Sequence, residues 1–154
     1  MTPLFKKLNY KDQATIAVIN APESFGAELS ALRDVTVLRS LDGEQEVPFV
    51  LAFVTTLAVI EQLASLVGAK TQGDAVIWFA YPKGTSKKYT CEFNRDSGWN
   101  ALGTYGFEGV RQVAIDADWS ALRFRRVEFI KTLTRNASRR ISGTGQVSGK
   151  MILR

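Results

Sequence analysis

A chain of 154 residues, with 45% apolar and 23% charged side chains, can bury a real hydrophobic core in one domain and is too apolar to be disordered. It holds no histidine and a single cysteine, Cys91, which excludes an internal disulfide, a cysteine-based zinc site and every histidine-dependent triad. Six cations fall in residues 131–154 with no acidic residue, against +5 for the whole chain. Residues 1–130 therefore carry −1, and the basicity belongs to the tail.

Residues 1–13 lack the apolar stretch of a signal peptide, and apolar runs such as 47–54 are too short to span a bilayer. We expect a cytoplasmic protein without membrane contact. The first element, over 14–20, is a compact apolar run without alternation, as in a strand buried on both faces; it stops at Ala21-Pro22. Phe25, Leu29 and Leu32 then fall at helical spacing over 23–32. A short strand over 35–41 leads to the turn Asp42-Gly43.

The run 48–55 is a third strand. Beyond it, Leu57, Ile60, Leu63, Ala64 and Val67 trace an amphipathic helix closed by Gly68. Gly73-Asp74 is a turn, 75–81 a fourth strand stopped by Pro82, and 83–91 a polar loop. Asp96 caps a helix that runs to about Tyr105 and ends at Gly106 or Gly109. Strands follow over 110–115 and 121–129. Strands separated by helices predict a parallel sheet with helices on both faces. The last two strands are too close in sequence for a crossover and must form an antiparallel hairpin. The expected fold is thus an α/β three-layer sandwich over 1–131, its sheet mostly parallel and Rossmann-like, with an antiparallel C-terminal hairpin strand. Residues 132–154, rich in Gly, Ser and Arg, read as a mobile tail.

Two resemblances follow. The element order, with its backward last strand, resembles the class I methyltransferases. Ala17-Val18-Ile19-Asn20-Ala21-Pro22, Trp78-Phe79-Ala80-Tyr81-Pro82-Lys83 and Asp116-Ala117-Asp118-Trp119-Ser120-Ala121-Leu122-Arg123-Phe124 together resemble an uncharacterised bacterial domain family. Its motifs are an a-P-e turn, W-x-x-x-P-K and D-x-x-W-S-x-L-R/K-F. This likeness covers residues 8–130 and implies no activity.

Ligands of open α/β sheets sit at strand carboxyl ends. The candidates there are Asn20, Pro22 and Glu23 after the first strand, Tyr81 and Lys83 after the fourth, and Trp119 beside them. The loop of Lys83, Lys87 and Lys88 offers charge for an anion, or is a solvated surface. Arg123 and Arg125 alternate with Leu122 and Phe124, so they share one face, roughly 7 Å apart, within reach of one anion or two carboxylates. Arg126 breaks that alternation, which suggests a bulge near 125–127. Asp116 and Asp118 are expected to form the hairpin turn and pair with these arginines. The pair alone is thin support for a hard cation, and no metal site is expected. Cys91, without a histidine base, reads as an apolar filler.

The leading expectation is a non-enzymatic binder of an anionic small molecule or partner, with no cofactor. The first-strand turn has one glycine, Gly26, where a glycine-rich cofactor loop is expected, and Pro22 contributes no N–H. The alternatives are a small S-adenosylmethionine-dependent methyltransferase with a degenerate loop, and a nucleic-acid-binding accessory protein. Nucleic acid is expected only at 131–154, and base stacking not at all, since that stretch has no aromatic residue. Gly145 to Lys150 imitates a P-loop at the wrong spacing, with Met151 in place of Ser or Thr.

Overall fold

A computed structural model describes residues 2–43, 45–94 and 96–130. The basic tail and its motifs lie outside the described residues. In chain order the elements are α1 (Pro3–Lys7), β1 (Thr15–Ile19), a 3-10 turn (Glu23–Phe25) running into α2 (Gly26–Ser30), β2 (Thr36–Leu38) and β3 (Phe49–Phe53). They continue with α3 (Leu57–Lys70), β4 (Val76–Pro82), α4 (Asn100–Thr104), β5 (Phe107–Ala114), β6 (Trp119–Arg126) and a final 3-10 turn (Val127–Phe129).

The strands form one sheet in the order β2-β1-β3-β4-β6-β5. β1 to β4 pair in parallel; β6 inserts antiparallel between β4 and β5. The expected parallel sheet with one reversed closing strand is therefore present, and the topology is Rossmann-like. Its direction changes at β1, whose neighbours are β2 on one side and β3 on the other.

Both faces are covered, which is why the strand sequences read as continuous apolar runs. On one face Ile60, Leu63, Ala64 and Val67 of α3 and Leu102 of α4 pack on Val50, Ala52, Ile77, Phe79 and Phe124. Burying each large side chain of that stripe contributes roughly 1.5–3 kcal/mol. On the other face Phe5 of α1 and Leu8 at its C-cap, with Phe25 and Leu32, pack on Ile16, Val18, Phe49, Leu51 and Trp78. The Trp78 indole N–H donates to the Leu8 carbonyl at 2.7 Å, tying α1 to the sheet.

Several boundaries differ from the sequence expectation. The first three-turn helix is instead a 3-10 turn and a five-residue helix, because only Phe25 and Leu32 find core positions and α2 buries none of its own residues. α3 continues through Gly68 to Lys70: Gly68 lies against the Tyr105 ring, where a Cβ would stand 3.2 Å from Cδ1, so the glycine admits a neighbour rather than ending the helix. α4 begins at Asn100 rather than Asp96. Asn94 Oδ1 accepts from Asp96 N and Ser97 Oγ and forms a local turn, and Gly98 at φ +92° turns the chain. The irregularity in the last hairpin lies on β5 between Gly109 and Arg111, not near 125–127. Val110 is the extra residue, and its side chain is exposed. α1 carries no amphipathic signal long enough to read from sequence; Thr2 caps it, and Phe5 and Leu8 anchor it. Among the described residues no helix is long and apolar enough to cross a membrane.

Candidate functional site

A cleft of about 330 Å³ opens where the sheet direction changes, at the carboxyl ends of β1 and β3. That is where open α/β sheets leave a crevice, because the connections from neighbouring strands depart to opposite faces. Asn20, Pro22 and Glu23 form one wall; Phe53, Thr55 and Val59 form the floor and the α3 side; Tyr89 and Trp119 close it.

Each wall is fixed locally. Asn20 adopts φ +58°, the left-handed conformation that asparagine tolerates, and turns the chain sharply out of β1. Trp119 is oriented by the hairpin turn. The Asp116 carboxylate accepts from the backbone N–H of Asp118 at 2.8 Å and of Trp119 at 2.9 Å. The loop after β4 is drawn over the cleft. Lys83 N donates to the Asp118 carbonyl, Ser86 Oγ to Asp118 Oδ1, and Tyr89 N to Ser86 Oγ. Tyr89 thereby lies against Trp119 with ring centroids 4.9 Å apart, and Trp119 meets Phe53 edge to face at 5.1 Å.

The electrostatics of this wall follow from its composition. Glu23 is its one charged side chain, and three aromatic rings surround it. The α3 amino end offers little to an anion. Its Leu57 N–H is held by Glu92 Oε1 at 2.9 Å and its Val59 N–H by Thr56 Oγ1. The Trp119 indole Nε1 is buried with no hydrogen-bond partner among the described residues. A buried donor without an acceptor is costly.

Of the residues singled out from sequence, Asn20, Pro22, Glu23 and Trp119 come together in the cleft. Tyr81 does not line it: it is 4% exposed, with its ring against Phe93 and Trp99 in the α3-side core. Lys83 stands on the covering loop, tied by its backbone. Arg123 and Arg125 lie toward the amino ends of the parallel strands, because β6 runs backward and sets Phe124 opposite Ile77. The expected pairing of Asp116 and Asp118 with the arginines is also corrected. The carboxylate of Arg125 is Asp74, gripped by Nε at 2.9 Å and Nη2 at 2.7 Å. Asp116 and Asp118 serve the turn and Ser86 instead.

Phe53, Thr55, Val59 and Tyr89 were not expected from the sequence. The carboxyl-end rule applied to the third strand would have pointed to Phe53 and Thr55; no local signal marks Tyr89. Cys91 packs partly buried against the core, and burial pushes its thiol up, with Glu92 adding to the rise and a backbone hydrogen bond at Phe93 opposing it. That is the opposite of an activated nucleophile. Among the described residues no group of three or more His, Cys, Asp or Glu side chains is arranged to hold a metal ion.

Comparison with solved structures finds methyltransferases. The chain superposes on NodS, an N-methyltransferase from Bradyrhizobium japonicum in complex with S-adenosyl-L-homocysteine, with TM-score 0.51 and 9% identity over 80% of this chain and 83% of that one. It superposes on TrmN from Thermus thermophilus with TM-score 0.51 and 10% identity. Phospholethanolamine N-methyltransferase 2 from Haemonchus contortus, solved with phosphomonomethylethanolamine and S-adenosylhomocysteine, gives TM-score 0.53 and 7% identity. The chain covers 47% of TrmN and 39% of the Haemonchus enzyme, with 80% and 85% of itself matched. No family model and no curated protein matches the sequence. At these identities the likeness establishes the fold: an α/β domain of the Rossmann-like methyltransferase type.

Proposed function

We propose that the cleft binds S-adenosylmethionine and that the chain is a small methyl-transfer domain. The observation that carries this reading is the wall itself. At the direction change of a methyltransferase-type sheet stand three aromatic rings, one carboxylate and no cation. Aromatic faces attract cations, by about 0.5–2 kcal/mol each depending on desolvation, and a carboxylate adds to that attraction. S-adenosylmethionine bears a sulfonium and an ammonium against one carboxylate. The leading expectation from the sequence, an anion binder, requires positive charge that this wall does not contain.

The residues fit the charged half of that molecule better than its ribose. β2 is followed by Arg39 and Ser40, both exposed, rather than by the acidic residue expected to hold ribose hydroxyls. When bound, the cofactor supplies an electrophilic methyl group. Glu23 and the rings of Tyr89 and Trp119 would hold its positive charge, Phe53 and Val59 exclude water, and Thr55 and Trp119 Nε1 offer hydrogen bonds. A sulfonium methyl group reacts by direct displacement, so positioning supplies most of the catalysis and a chain without histidine is not handicapped.

The second reading, a non-enzymatic anion binder, draws on Lys83, Lys87 and Lys88 of the covering loop, of which Lys87 and Lys88 are exposed. We propose a cytoplasmic setting, where one unpaired thiol is at home, and kinship with the uncharacterised bacterial family whose three motifs its segments resemble. Two of those motifs, at Asn20 to Pro22 and at Trp119, meet at the cleft. Isothermal titration decides between the readings. Micromolar binding of S-adenosylmethionine and weaker binding of S-adenosylhomocysteine, which lacks the sulfonium charge, are expected, with inorganic phosphate failing to compete with either. Binding of neither adenosyl compound, with phosphate binding that is lost when Lys83, Lys87 and Lys88 are replaced by Met, would reverse the assignment.

A further inference from the structure

The arginines of β6 divide into three environments. Arg126 points to the α3 side and hydrogen-bonds the carbonyls of Gly68, Thr71 and Gly73. Arg125 grips Asp74. Arg123 sits between Trp78 of β4 and Arg111 of β5 in the sheet register, on the face that carries α1. It is 9% exposed, its Nε is buried with no hydrogen-bond partner among the described residues, and it forms no ion pair with a described carboxylate. Burial lowers its hold on the proton, Arg125 and Arg111 push the same way, and Asp74 opposes them.

A buried guanidinium N–H left without an acceptor is costly, so native structures satisfy it. The neighbours cannot do so. Asp74 is occupied by Arg125, and Glu108, opposite Arg125 on β5, is itself engaged. Residues 131–154 contain no acidic side chain. Arg111 adds a second guanidinium on the same face, 5.9 Å from the Trp78 ring centroid, with Nη2 donating to the Lys7 carbonyl.

We propose that Arg123, flanked by Arg111, binds the oxyanion group of a small ligand, a phosphate or a carboxylate, on the α1 face of the sheet. A guanidinium fork matches either group with two parallel N–H donors. The site is separate from the cleft, which lies at the other end of the parallel strands, and it does not depend on what the cleft binds.

Thermal unfolding of the full chain tests this, with sodium phosphate or sodium acetate replacing sodium chloride at constant ionic strength. A saturating rise of about 3 °C or more in the midpoint is expected with at least one of the two anions. The stronger response identifies the source as phosphate or carboxylate. Arg123→Met should abolish the rise, and in chloride it should unfold at or above the wild-type midpoint because the unpaired charge is gone. Arg111→Met, at an exposed position that folding tolerates, should weaken the response several-fold, and Lys88→Met should leave it intact. The proposal is overturned if the midpoint follows ionic strength alone, if both arginine variants respond as the wild type does, or if Arg123→Met in chloride unfolds well below it.

Discussion

Trp119 meets Phe53 edge to face with ring centroids 5.1 Å apart, so the first residue of β6 and the last residue of β3 form one wall. This contact exists because β6 runs backward: reversal brings its beginning, rather than its end, to the carboxyl ends of the parallel strands. The indole therefore serves two purposes, packing on the α1-side core and facing the cleft, and substitutions separate them. Trp119→Ala should cost about 3–5 kcal/mol in urea-induced unfolding, the usual loss for a large buried aromatic. Trp119→Phe keeps the packing and removes the N–H that has no partner. It should cost less than about 1.5 kcal/mol while weakening S-adenosylmethionine binding several-fold.

Asn20 at φ +58° turns the chain from β1 into the cleft wall. Asn20→Gly should change stability by less than about 0.5 kcal/mol, since glycine takes this conformation freely. Asn20→Val should cost about 1–3 kcal/mol, because a β-branched side chain collides with its own backbone there. Equal losses in the two variants would show that the backbone angle is not what selects asparagine.

The fold was legible in the sequence because a sheet covered on both faces writes itself as apolar runs. 48–55 and 75–81 could hardly be anything else, and a hairpin connection too short for a crossover forces the reversed strand. Half of the candidate site was legible for the same reason. Asn20, Pro22 and Glu23 follow a strand end directly, and Trp119 begins the strand that reversal carries to the same edge. The remainder was hidden by alternation counted without a partner. Tyr81 stands one residue before the end of its strand but points to the α3 side, into the rings of Phe93 and Trp99. Arg123 and Arg125 share a face, yet the reversal of β6 carries them away from the cleft. Tyr89 reaches the cleft only through Ser86 and Asp118, a tertiary link between residues 32 positions apart.

Arg125 and Arg126 are adjacent in sequence and differ in what depends on them. The Arg125–Asp74 pair is 29% and 37% exposed, so Arg125→Ala should cost no more than about 1 kcal/mol, and the loss should shrink in high salt. Arg126 satisfies carbonyls at the end of α3, bonds the buried Thr71 hydroxyl and covers the Phe107 ring at 4.9 Å. Arg126→Ala should cost about 2–3 kcal/mol and be nearly indifferent to salt. Denaturant titrations of both variants at two salt concentrations check the ranking.

Burial raises the Cys91 thiol above its ordinary value, so the folded chain keeps this proton to higher pH than the unfolded chain does. Its contribution to stability is complete below the unfolded thiol value and is lost as pH rises through the folded one. Cys91→Ala should accordingly flatten part of the alkaline fall in the unfolding midpoint. Iodoacetamide should modify native Cys91 about tenfold or more slowly than the urea-unfolded chain near neutral pH. Faster native modification would mean an activated thiol.

The most direct measurement follows the indole N–H signals in a ¹⁵N-correlation spectrum as S-adenosylmethionine is added. The chain has three tryptophans. Trp78 is held by the Leu8 carbonyl at 2.7 Å and Trp99 by the Asn94 carbonyl at 3.0 Å, while Trp119 has no acceptor among the described residues. The Trp119 signal, assigned from its loss in Trp119→Phe, should shift with saturation while the other two stay in place. If all three stay in place at millimolar ligand, or if Trp78 moves and Trp119 does not, the cleft is not the cofactor site.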